Sequence, residues 1–373
     1  MIVGILKEPQ GENRVSLLPE QVVALIKKNV QVVVEDGAGH TASAFNEAYV
    51  QAGATIVSRA EALKSDLVLA INPLTDTDVP QLKAGAAILG VYQPLFNVDL
   101  MNTWASKNVC SFSLDMIPRT TRAQSMDVLS SQANIAGYRA VLLASTLLPR
   151  YFPMFMTAAG SIAPAKVLIL GAGVAGLQAI ATAKRLGAVV EVFDTRPAVK
   201  EEVQSLGAKF VEVEGAADAT KAGGYAVEQT EEYKQKQQQR IAESVAKSDV
   251  IITTAQIPGK KAPILISQDM LDSMKNGSVI IDLAASTGGN TPLTKNNEHF
   301  TTDKGVLIVG NSNLPSGMPF DASKMYGKNV LNFLQLIITK DGNMELNFAD
   351  DLVKGTCITN GGAVVHERMI ANN

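Results

Sequence analysis

Cysteine and histidine are scarce in this chain, and their scarcity excludes several kinds of site. The 373 residues include two cysteines, Cys110 and Cys357, which lie far apart in the sequence. A disulfide framework needs more cysteines, so we expect a reducing compartment in which both thiols are buried as small apolar side chains. The three histidines, His40, His299 and His366, follow no metal-ligand spacing. No metal site is therefore predicted.

The chain also lacks a basic excess and a long apolar run. Its formal net charge of −3 argues against a nucleic-acid partner, because nucleic-acid-binding proteins usually present a basic surface. The longest lipid-like stretch, residues 140–148, is far shorter than the roughly 18 apolar residues that a membrane span needs. Neither a signal peptide nor a transmembrane helix is predicted.

What the chain has instead is an alternation of short apolar strands with amphipathic helices. It runs through residues 1–120 and starts again from Lys166. Such alternation is typical of parallel sheets with helices on both faces. We therefore predict an α/β fold of two doubly wound, Rossmann-like parallel-sheet domains with a cleft between them. The predicted strands are Ile2–Leu6, Val30–Val34, Leu67–Ile71, Ala86–Val91, Val109–Phe112, Val167–Leu170, Val189–Phe193, Val250–Thr253, Val279–Ile281 and Val306–Val309.

Between the two alternating regions the sequence predicts one long helix. This helix covers Asp127–Leu148, where Asp127 can cap its N-terminus and Pro149 ends it. The segment Ala159–Pro164 is interpreted as a connector, and Asp321–Ile338 as a helix that packs back on the first domain. The first domain is therefore expected to comprise residues 1–126 and about 321–373, and the second residues 127–320.

A glycine-rich turn follows the first predicted strand of the second domain. Gly171–Gly176 matches G-x-G-x-x-G and lies between an apolar strand and an alanine-rich helix. Gly171 permits the tight turn, Gly173 lets the backbone approach a pyrophosphate, and Gly176 lets the helix pack closely on the strand. Free N–H groups at the helix N-terminus favour phosphate binding. In this context the turn predicts a dinucleotide site.

An acidic residue at the end of the next strand indicates which dinucleotide is bound. Asp194 lies about 20 residues beyond the turn, where its carboxylate can accept hydrogen bonds from both ribose hydroxyls. The same charge would repel a 2′-phosphate, which favours NAD(H) over NADP(H). Arg196 complicates this interpretation, because a nearby arginine can hold a 2′-phosphate. A glycine turn without a ligand is the alternative.

A dense polar segment, residues 118–127, precedes the long predicted helix and has two interpretations. The side chains that could hydrogen-bond a carboxamide and its ribose are Arg119, Gln124, Asp127 and, in the helix, Ser130. A solvated loop together with a cap for the helix explains the same residues equally well. No histidine lies near a recognisable site motif, although a dehydrogenase that acts on an alcohol or amino acid must also move a proton.

Residues 212–230 interrupt the alternation of strands and helices. They are polar, contain Gly215, Gly223 and Gly224, and show no strong periodicity. Long irregular segments in compact domains are usually lids, binding loops or disordered. The residues alone do not distinguish a lid from a solvated loop, and a polar helix is predicted to follow over residues 231–247.

Several longer motifs carry a family resemblance that extends over essentially the whole chain. They are Arg122–Asp127, Ser130–Ala140, Gly171–Gly176, Phe193–Pro197, Gly223–Ala226, Thr253–Lys260 and Asp282–Ala285. Together they resemble the proton-translocating NAD(P) transhydrogenases, specifically the NAD(H)-binding peripheral domain of these enzymes.

The resemblance implies a role for each candidate residue. The nicotinamide end of NAD(H) would be oriented by Arg119, Gln124, Asp127 and Ser130. The residues that bind the rest of the cofactor would be Gly171, Ala172, Gly173, Val174, Gly176, Asp194, Thr195, Arg196, Gln237, Ala255 and Gln256. A mobile loop that closes over the nucleotide would include Gly224 and Tyr225, which favours the lid interpretation of residues 212–230.

The resemblance also implies an activity and partners. In that family the domain takes a hydride from NADH and passes it to NADP⁺ on a separate NADP(H)-binding subunit, while membrane-spanning subunits couple this step to proton translocation. A homodimer that is cytoplasmic and peripheral at the inner membrane, held there by its partner subunits, is expected. Transfer between two nicotinamide rings moves no proton at the reacting carbons, which accounts for the missing acid–base pair.

The chain resembles alanine dehydrogenase as well, and this gives an alternative function. Arg14 lies where that enzyme uses an arginine on the substrate carboxylate. The positions of its lysine, catalytic histidine and aspartate are occupied here by Asn72, Gln93 and Ser286. These replacements remove the proton-transfer groups and disfavour an amino-acid dehydrogenase. A non-catalytic NAD sensor would share the glycine turn and is a third possibility.

Overall fold

The computed structural model describes residues 1–213 and 231–371, which form strands and helices in alternation. The strands are β1 (Ile2–Ile5), β2 (Gln31–Glu35), β3 (Thr55–Val57), β4 (Leu67–Leu69), β5 (Ala87–Gly90), β6 (Cys110–Ser113), β7 (Phe155–Thr157), β8 (Gly160–Ile162), β9 (Lys166–Leu170), β10 (Val189–Phe193), β11 (Lys209–Phe210), β12 (Val250–Thr253), β13 (Val279–Asp282), β14 (Glu298–Thr301), β15 (Leu307–Gly310), β16 (Cys357–Asn360) and β17 (Ala363–Val364). The helices are α1 (Pro19–Ile26), α2 (Asn46–Gln51), α3 (Arg59–Ala62), α4 (Val98–Ser106), α5 (Val128–Leu147), α6 (Val174–Arg185), α7 (Lys200–Ser205), α8 (Glu231–Val245), α9 (Gln268–Ser273), α10 (Pro319–Ile337), α11 (Asp351–Thr356) and α12 (Glu367–Ile370).

The chain divides into two compact units. Unit 1 consists of Met1–Gln132 and Pro315–Asn373, and unit 2 consists of Ala133–Leu314. The junctions therefore fall after residues 132 and 314. The sequence pattern places them after residues 126 and 320.

Unit 1 is built on an eight-stranded sheet with the order β17-β16-β6-β5-β4-β1-β2-β3. The six strands that lie next to one another from β6 to β3 in this order pair in parallel, and β16 pairs antiparallel with β6. Both faces of the sheet are covered. Leu67 and Leu69 of β4 belong to the hydrophobic core on one face, and Val68 belongs to the core on the other. The parallel strands have the 3-2-1-4-5-6 order of a doubly wound fold.

Unit 2 repeats this plan in a seven-stranded sheet with the order β11-β10-β9-β12-β13-β15-β14. Its strands are parallel except for β14, which pairs antiparallel with β15. Val167 and Ile169 of β9 belong to one core, and Leu168 and Leu170 belong to the core on the other face. The predicted class, two doubly wound Rossmann-like domains, is therefore confirmed.

The segment after α5 corrects one sequence prediction. Ala159–Pro164 was expected to be a plain connector, but β7 and β8 form an antiparallel hairpin that pairs with neither large sheet. Both strands are exposed along their whole length. Because the hairpin has no buried face, it lacks the apolar alternation by which a strand is recognised in a sequence.

The remaining expectations from composition concern cysteines, metals and membrane spans. Cys110 and Cys357 are free thiols and both are buried, as predicted. Within the described ranges, no group of three or more His, Cys, Asp or Glu side chains is arranged to hold a metal ion. None of the helices described has both the length and the apolar character to cross a membrane.

Unit 1 carries a buried carboxyl group, Glu8, beyond the end of β1. This is the position at which a dinucleotide-binding sheet has its glycine turn. The Glu8 carboxylate accepts hydrogen bonds from the backbone N–H groups of Ile71 (2.6 Å) and Asn72 (3.1 Å) and from the Asn72 side-chain amide (2.9 Å). Burial raises the pKa of Glu8 from its ordinary value of 4.5 to about 7, and the charge of Glu12 acts in the same direction.

The raised pKa of Glu8 predicts a pH-dependent stability of unit 1. The folded chain holds the proton of the Glu8 carboxyl more tightly than the unfolded chain does. The stabilisation by this protonated carboxyl is therefore complete below about pH 4.5 and is lost as the pH rises to about 7. The loss amounts to about 3 kcal/mol in the free energy of unfolding. Glu8→Gln, which mimics the protonated carboxyl, should remove this dependence.

Urea unfolding followed by tryptophan fluorescence measures the effect, because the single tryptophan, Trp104, is buried in unit 1. The difference in unfolding free energy between wild type and Glu8→Gln should change across this pH window and stay constant above it. A constant difference at every pH would contradict the prediction. Asp66→Asn, at a partly exposed carboxylate directly before β4, is the control for charge removal.

Candidate functional site

The glycine turn of unit 2 follows β9, as the sequence predicted. Gly171 has a φ of +105°, in the region that L side chains rarely adopt, and its N–H donates to the carbonyl oxygen of Phe193 (2.8 Å). The Thr254 hydroxyl donates to the carbonyl oxygens of Leu170 (3.2 Å) and Gly171 (3.3 Å). It thereby joins the turn after β9 to the end of β12. The direction of strand addition reverses between these two strands, which is where doubly wound sheets bind ligands.

Gly173 and Gly176 differ in what surrounds them. A Cβ atom at Gly176 would lie 1.9 Å from the carbonyl oxygen of Gly171, so only glycine allows α6 to approach the turn this closely. A Cβ atom at Gly173 would meet no heavy atom within 4 Å. Gly173 therefore faces open space, as expected of the glycine that lets a pyrophosphate approach the backbone.

The N-terminus of α6 is suited to an anion. Gly173 is its N-cap and no side chain caps the helix, so the first N–H groups are left to an external acceptor. The first turn contains no acidic residue, and Val174 is exposed. Uncapped N–H groups and the helix dipole both favour a phosphate here.

Asp194 at the end of β10 is held by two neighbours. One carboxylate oxygen accepts the N–H of Ala172 (2.7 Å) and an Nη of Arg196 (2.8 Å). The other accepts the backbone N–H (2.8 Å) and Nε (2.9 Å) of Arg196. This contact raises the pKa of the Arg196 guanidinium and partly neutralises the carboxylate that was predicted to exclude a 2′-phosphate.

The loop after β12 borders the same edge of the sheet. Ala255 is half-buried, and its backbone is bonded to the side chain of Asn290. Gln256 is exposed, and its side-chain amide donates to the carbonyl oxygen of Leu283 beyond β13 (2.8 Å). The structure thus places Ala255 and Gln256 in a loop that is tied to the next strand of the sheet.

The polar segment before α5 belongs to unit 1. Asp127 accepts the backbone N–H (2.9 Å) and the hydroxyl (2.6 Å) of Ser130, so it caps the first turn of α5. Arg119 and Gln124 are exposed. The capping interpretation is therefore correct for Asp127 and Ser130, and their role at a nicotinamide ring stays a prediction.

The other predicted residues are distributed as follows. Thr195 is half-buried beside Asp194, and Gln237 is a half-buried residue of α8. Gly224 and Tyr225 lie outside the described residues, as does most of the predicted lid, residues 212–230.

Two residues that support the turn are absent from the set predicted from sequence. One is Thr254, whose hydroxyl is described above. The other is Gly137 of α5, where a Cβ atom would lie 2.1 Å from the carbonyl oxygen of Ala175 in the first turn of α6. The absence of a side chain at Gly137 therefore lets α5 pack directly on the turn. The signal available in the sequence was a single glycine in a long helix.

The residues that align with alanine dehydrogenase are engaged within unit 1 or lack its chemistry. The Arg14 guanidinium forms an ion pair with Glu12 (2.6 Å) and donates to the side-chain oxygen of Gln132 (2.8 Å). Asn72 donates to Glu8. The Arg14 guanidinium thus has hydrogen-bonding partners within the protein, and a substrate carboxylate would have to compete with them.

The chain is similar to known proteins along most of its length. Family models described as the N-terminal and C-terminal domains of alanine dehydrogenase/PNT match residues 4–136 and 140–367. An NAD(P) transhydrogenase alpha subunit of Rhodospirillum rubrum is 46% identical over 377 residues, with 98% of each chain covered. The crystal structure of transhydrogenase from Sinorhizobium meliloti has a TM-score of 0.90 at 43% identity, and the match covers 98% of this chain and 100% of that one. An alanine dehydrogenase of Staphylococcus saprophyticus is 28% identical, with 91% of this chain and 88% of that protein covered.

Two sheets in Rossmann order, with a glycine turn on the second sheet, define a two-domain α/β protein of the dinucleotide-binding class. The chain belongs to the alanine dehydrogenase/PNT family and, within it, to the NAD(P) transhydrogenase alpha subunits.

Proposed function

We propose that this chain is the NAD(H)-binding subunit of a proton-translocating transhydrogenase. In this role it presents NADH to NADP⁺ on a partner subunit. The observation that carries the proposal is the glycine turn of unit 2, with an uncapped helix N-terminus behind it and open space at Gly173. NAD(H) is the cofactor of the chain, and its pyrophosphate fits this turn.

The other parts of the nucleotide are assigned to residues around the turn. Asp194, with Thr195 and Arg196 beside it, binds the adenosine ribose, and Gln237, Ala255 and Gln256 complete the binding surface. Gly224 and Tyr225, which lie outside the described residues, are also assigned to nucleotide binding. The nicotinamide end is oriented by Arg119, Gln124, Asp127 and Ser130.

The chemistry demands little of the protein beyond binding and orientation. When bound, NADH supplies a hydride that passes directly to the nicotinamide ring of NADP⁺. The side chains of this subunit hold the ring in place and exclude water, and no proton donor is needed at the reacting carbons. The proposed complex contains a homodimer of this chain, an NADP(H)-binding subunit and membrane-spanning subunits, which hold the chain at the cytoplasmic face of the inner membrane and couple the reaction to proton translocation.

Mixing the full chain with an NADP(H)-loaded partner subunit tests the proposal. The chain alone should bind NADH without oxidising it, and addition of the partner should start hydride exchange between the nucleotides. Absence of exchange with every such partner would overturn the proposal. Oxidation of NADH that depends on pyruvate and ammonia would establish the alanine-dehydrogenase-like function instead.

Asp127→Asn separates the capping role of this residue from its proposed role at the nicotinamide. Asparagine caps a helix as well as aspartate does, so the melting temperature should not change. Loss of the carboxylate should slow hydride exchange with the partner roughly tenfold. The measurement is the stopped-flow exchange rate, with Ser131→Ala in the same helix as the control. An unchanged rate would assign Asp127 to capping alone.

A further inference from the structure

Asn290, in the loop after β13, is a fully buried residue whose side-chain amide uses its oxygen and both of its N–H donors in hydrogen bonds. Its Oδ1 accepts the N–H of Ala255 (3.2 Å). Its Nδ2 donates to the carbonyl oxygens of Ala255 (2.9 Å) and Pro263 (2.8 Å). The amide therefore pairs with both backbone polar groups of Ala255, as a neighbouring strand would do in a sheet.

The backbone of Asn290 is held with equal completeness. Its N–H donates to a carboxylate oxygen of the buried Asp282 (2.6 Å), and its carbonyl oxygen accepts the N–H groups of Leu265 (2.9 Å) and Ile266 (3.1 Å). Asp282 also accepts the Thr294 hydroxyl (2.7 Å). Asn290 thus has a fixed position from which it can hold Ala255.

The segment that Asn290 holds adjoins the glycine turn. Strand β12 ends at Thr253, so the backbone of Ala255 lies beyond the ladder that would otherwise fix it. Thr254, one residue earlier, donates its hydroxyl to the carbonyl oxygens at the turn. One side chain of this segment therefore contacts the turn, and the next residue is anchored by Asn290.

We propose that Asn290 is a positioning residue of the NAD(H) site, which sets NADH affinity by fixing the backbone of Ala255 and so the placement of its neighbours, Thr254 at the turn and Gln256 in the loop that follows. The inference rests on the proposed function, which assigns Ala255 and Gln256 to the nucleotide. It adds a residue that does not itself contact the cofactor.

Two substitutions test the role of the Asn290 amide. Asn290→Ala leaves the N–H and carbonyl oxygen of Ala255 without these partners. Asn290→Asp retains size and an acceptor but loses both donated hydrogen bonds. Either change also destabilises unit 2, since it leaves buried backbone groups unpaired. A control must therefore lower stability without touching the turn.

Asp249 supplies that control, because it lies at the other end of the parallel strands of the same sheet. It is buried at the start of β12, accepts the N–H of Lys166 (2.9 Å), and forms ion pairs with Arg150 (2.6 Å) and Lys275 (2.9 Å). Asp249→Ala removes a buried carboxylate of the same unit, at the N-terminal end of β12 and away from the C-terminal strand ends where the glycine turn lies. Its effect on NADH binding measures what destabilisation alone can do.

NADH binding to the full chain is measured by calorimetry and by the emission of bound NADH, well below the melting temperature of each variant. Both Asn290 variants should weaken NADH binding roughly tenfold or more and shift the emission of the nucleotide that still binds. Asp249→Ala should lower the melting temperature while its NADH affinity stays within about twofold of wild type.

Wild-type affinity in Asn290→Asp, or in Asn290→Ala, would overturn the inference. Equal weakening in Asp249→Ala would overturn it too, because destabilisation would then account for the effect. Failure of the proposed function has a different signature. In that case the wild-type chain binds NADH but exchanges no hydride with the partner, whatever residue stands at position 290.

Discussion

Gly173→Val is expected to fold as the wild-type chain does and to bind NADH roughly 100-fold more weakly or worse. The backbone at Gly173, with φ of −78° and ψ of −170°, accepts any L residue, and a Cβ atom there meets nothing within 4 Å. The free protein therefore has room for the new side chain. The pyrophosphate does not, because the valine methyl groups occupy the space in front of the uncapped α6 N-terminus.

Thermal melting and NADH titration together check this prediction. Gly176→Ala is the matched control, because its Cβ atom would lie 1.9 Å from the carbonyl oxygen of Gly171 and must disturb the turn itself. Gly176→Ala should lose both stability and NADH binding, whereas Gly173→Val should lose binding alone. Near-normal NADH affinity in Gly173→Val would mean that the pyrophosphate does not approach the turn from this side.

Asp194→Asn is expected to weaken NADH binding by roughly 10- to 100-fold, the cost of losing hydrogen bonds to a charged group. The same substitution should strengthen NADPH binding. In the wild-type chain the Arg196 guanidinium is engaged on both oxygens of Asp194, so it is drawn away from any 2′-phosphate. Neutralising the carboxylate removes the repulsion of the phosphate and releases Arg196 to bind it.

A double-mutant cycle separates the two contributions to nucleotide choice. Asp194→Asn with Arg196→Ala should keep the loss of NADH affinity and lose the part of the NADPH gain that Arg196 supplies, leaving only the gain from the removed repulsion. Competition titrations with both nucleotides provide the affinities. If the double variant gains as much NADPH affinity as Asp194→Asn alone, the discrimination does not depend on Arg196 and the ion pair is a structural contact only.

The central strands and the glycine turn were predictable because both depend on local sequence. Each central strand of unit 2 is a short apolar run. Gly171, Gly173 and Gly176 fall within six consecutive residues, so their spacing alone indicates the turn. The short edge strands β3, β11 and β17 were missed, since two or three residues carry no periodicity.

The contacts that hold the turn in place were not predictable in the same way. Thr254 contacts Gly171 across 83 residues of sequence, and Asn290 contacts Ala255 across 35. Such pairs form only once the parallel strands are assembled, and a threonine or an asparagine in the sequence does not indicate which distant residue it contacts. The charge of Asp194 was foreseen as a ribose ligand, but its saturation by Arg196 follows from side-chain geometry that the sequence pattern does not contain.

The β7–β8 hairpin gives the chain a natural set of oxidation labels. Met154 and Met156 expose 66% and 72% of their surface, whereas Met270 and Met274 of unit 2 are buried. Thioethers are oxidised according to their accessibility, so dilute peroxide should convert the two hairpin methionines to sulfoxides first. Mass spectrometry of those two sulfoxides therefore reports, without any engineered probe, whenever another macromolecule shields this side of unit 2.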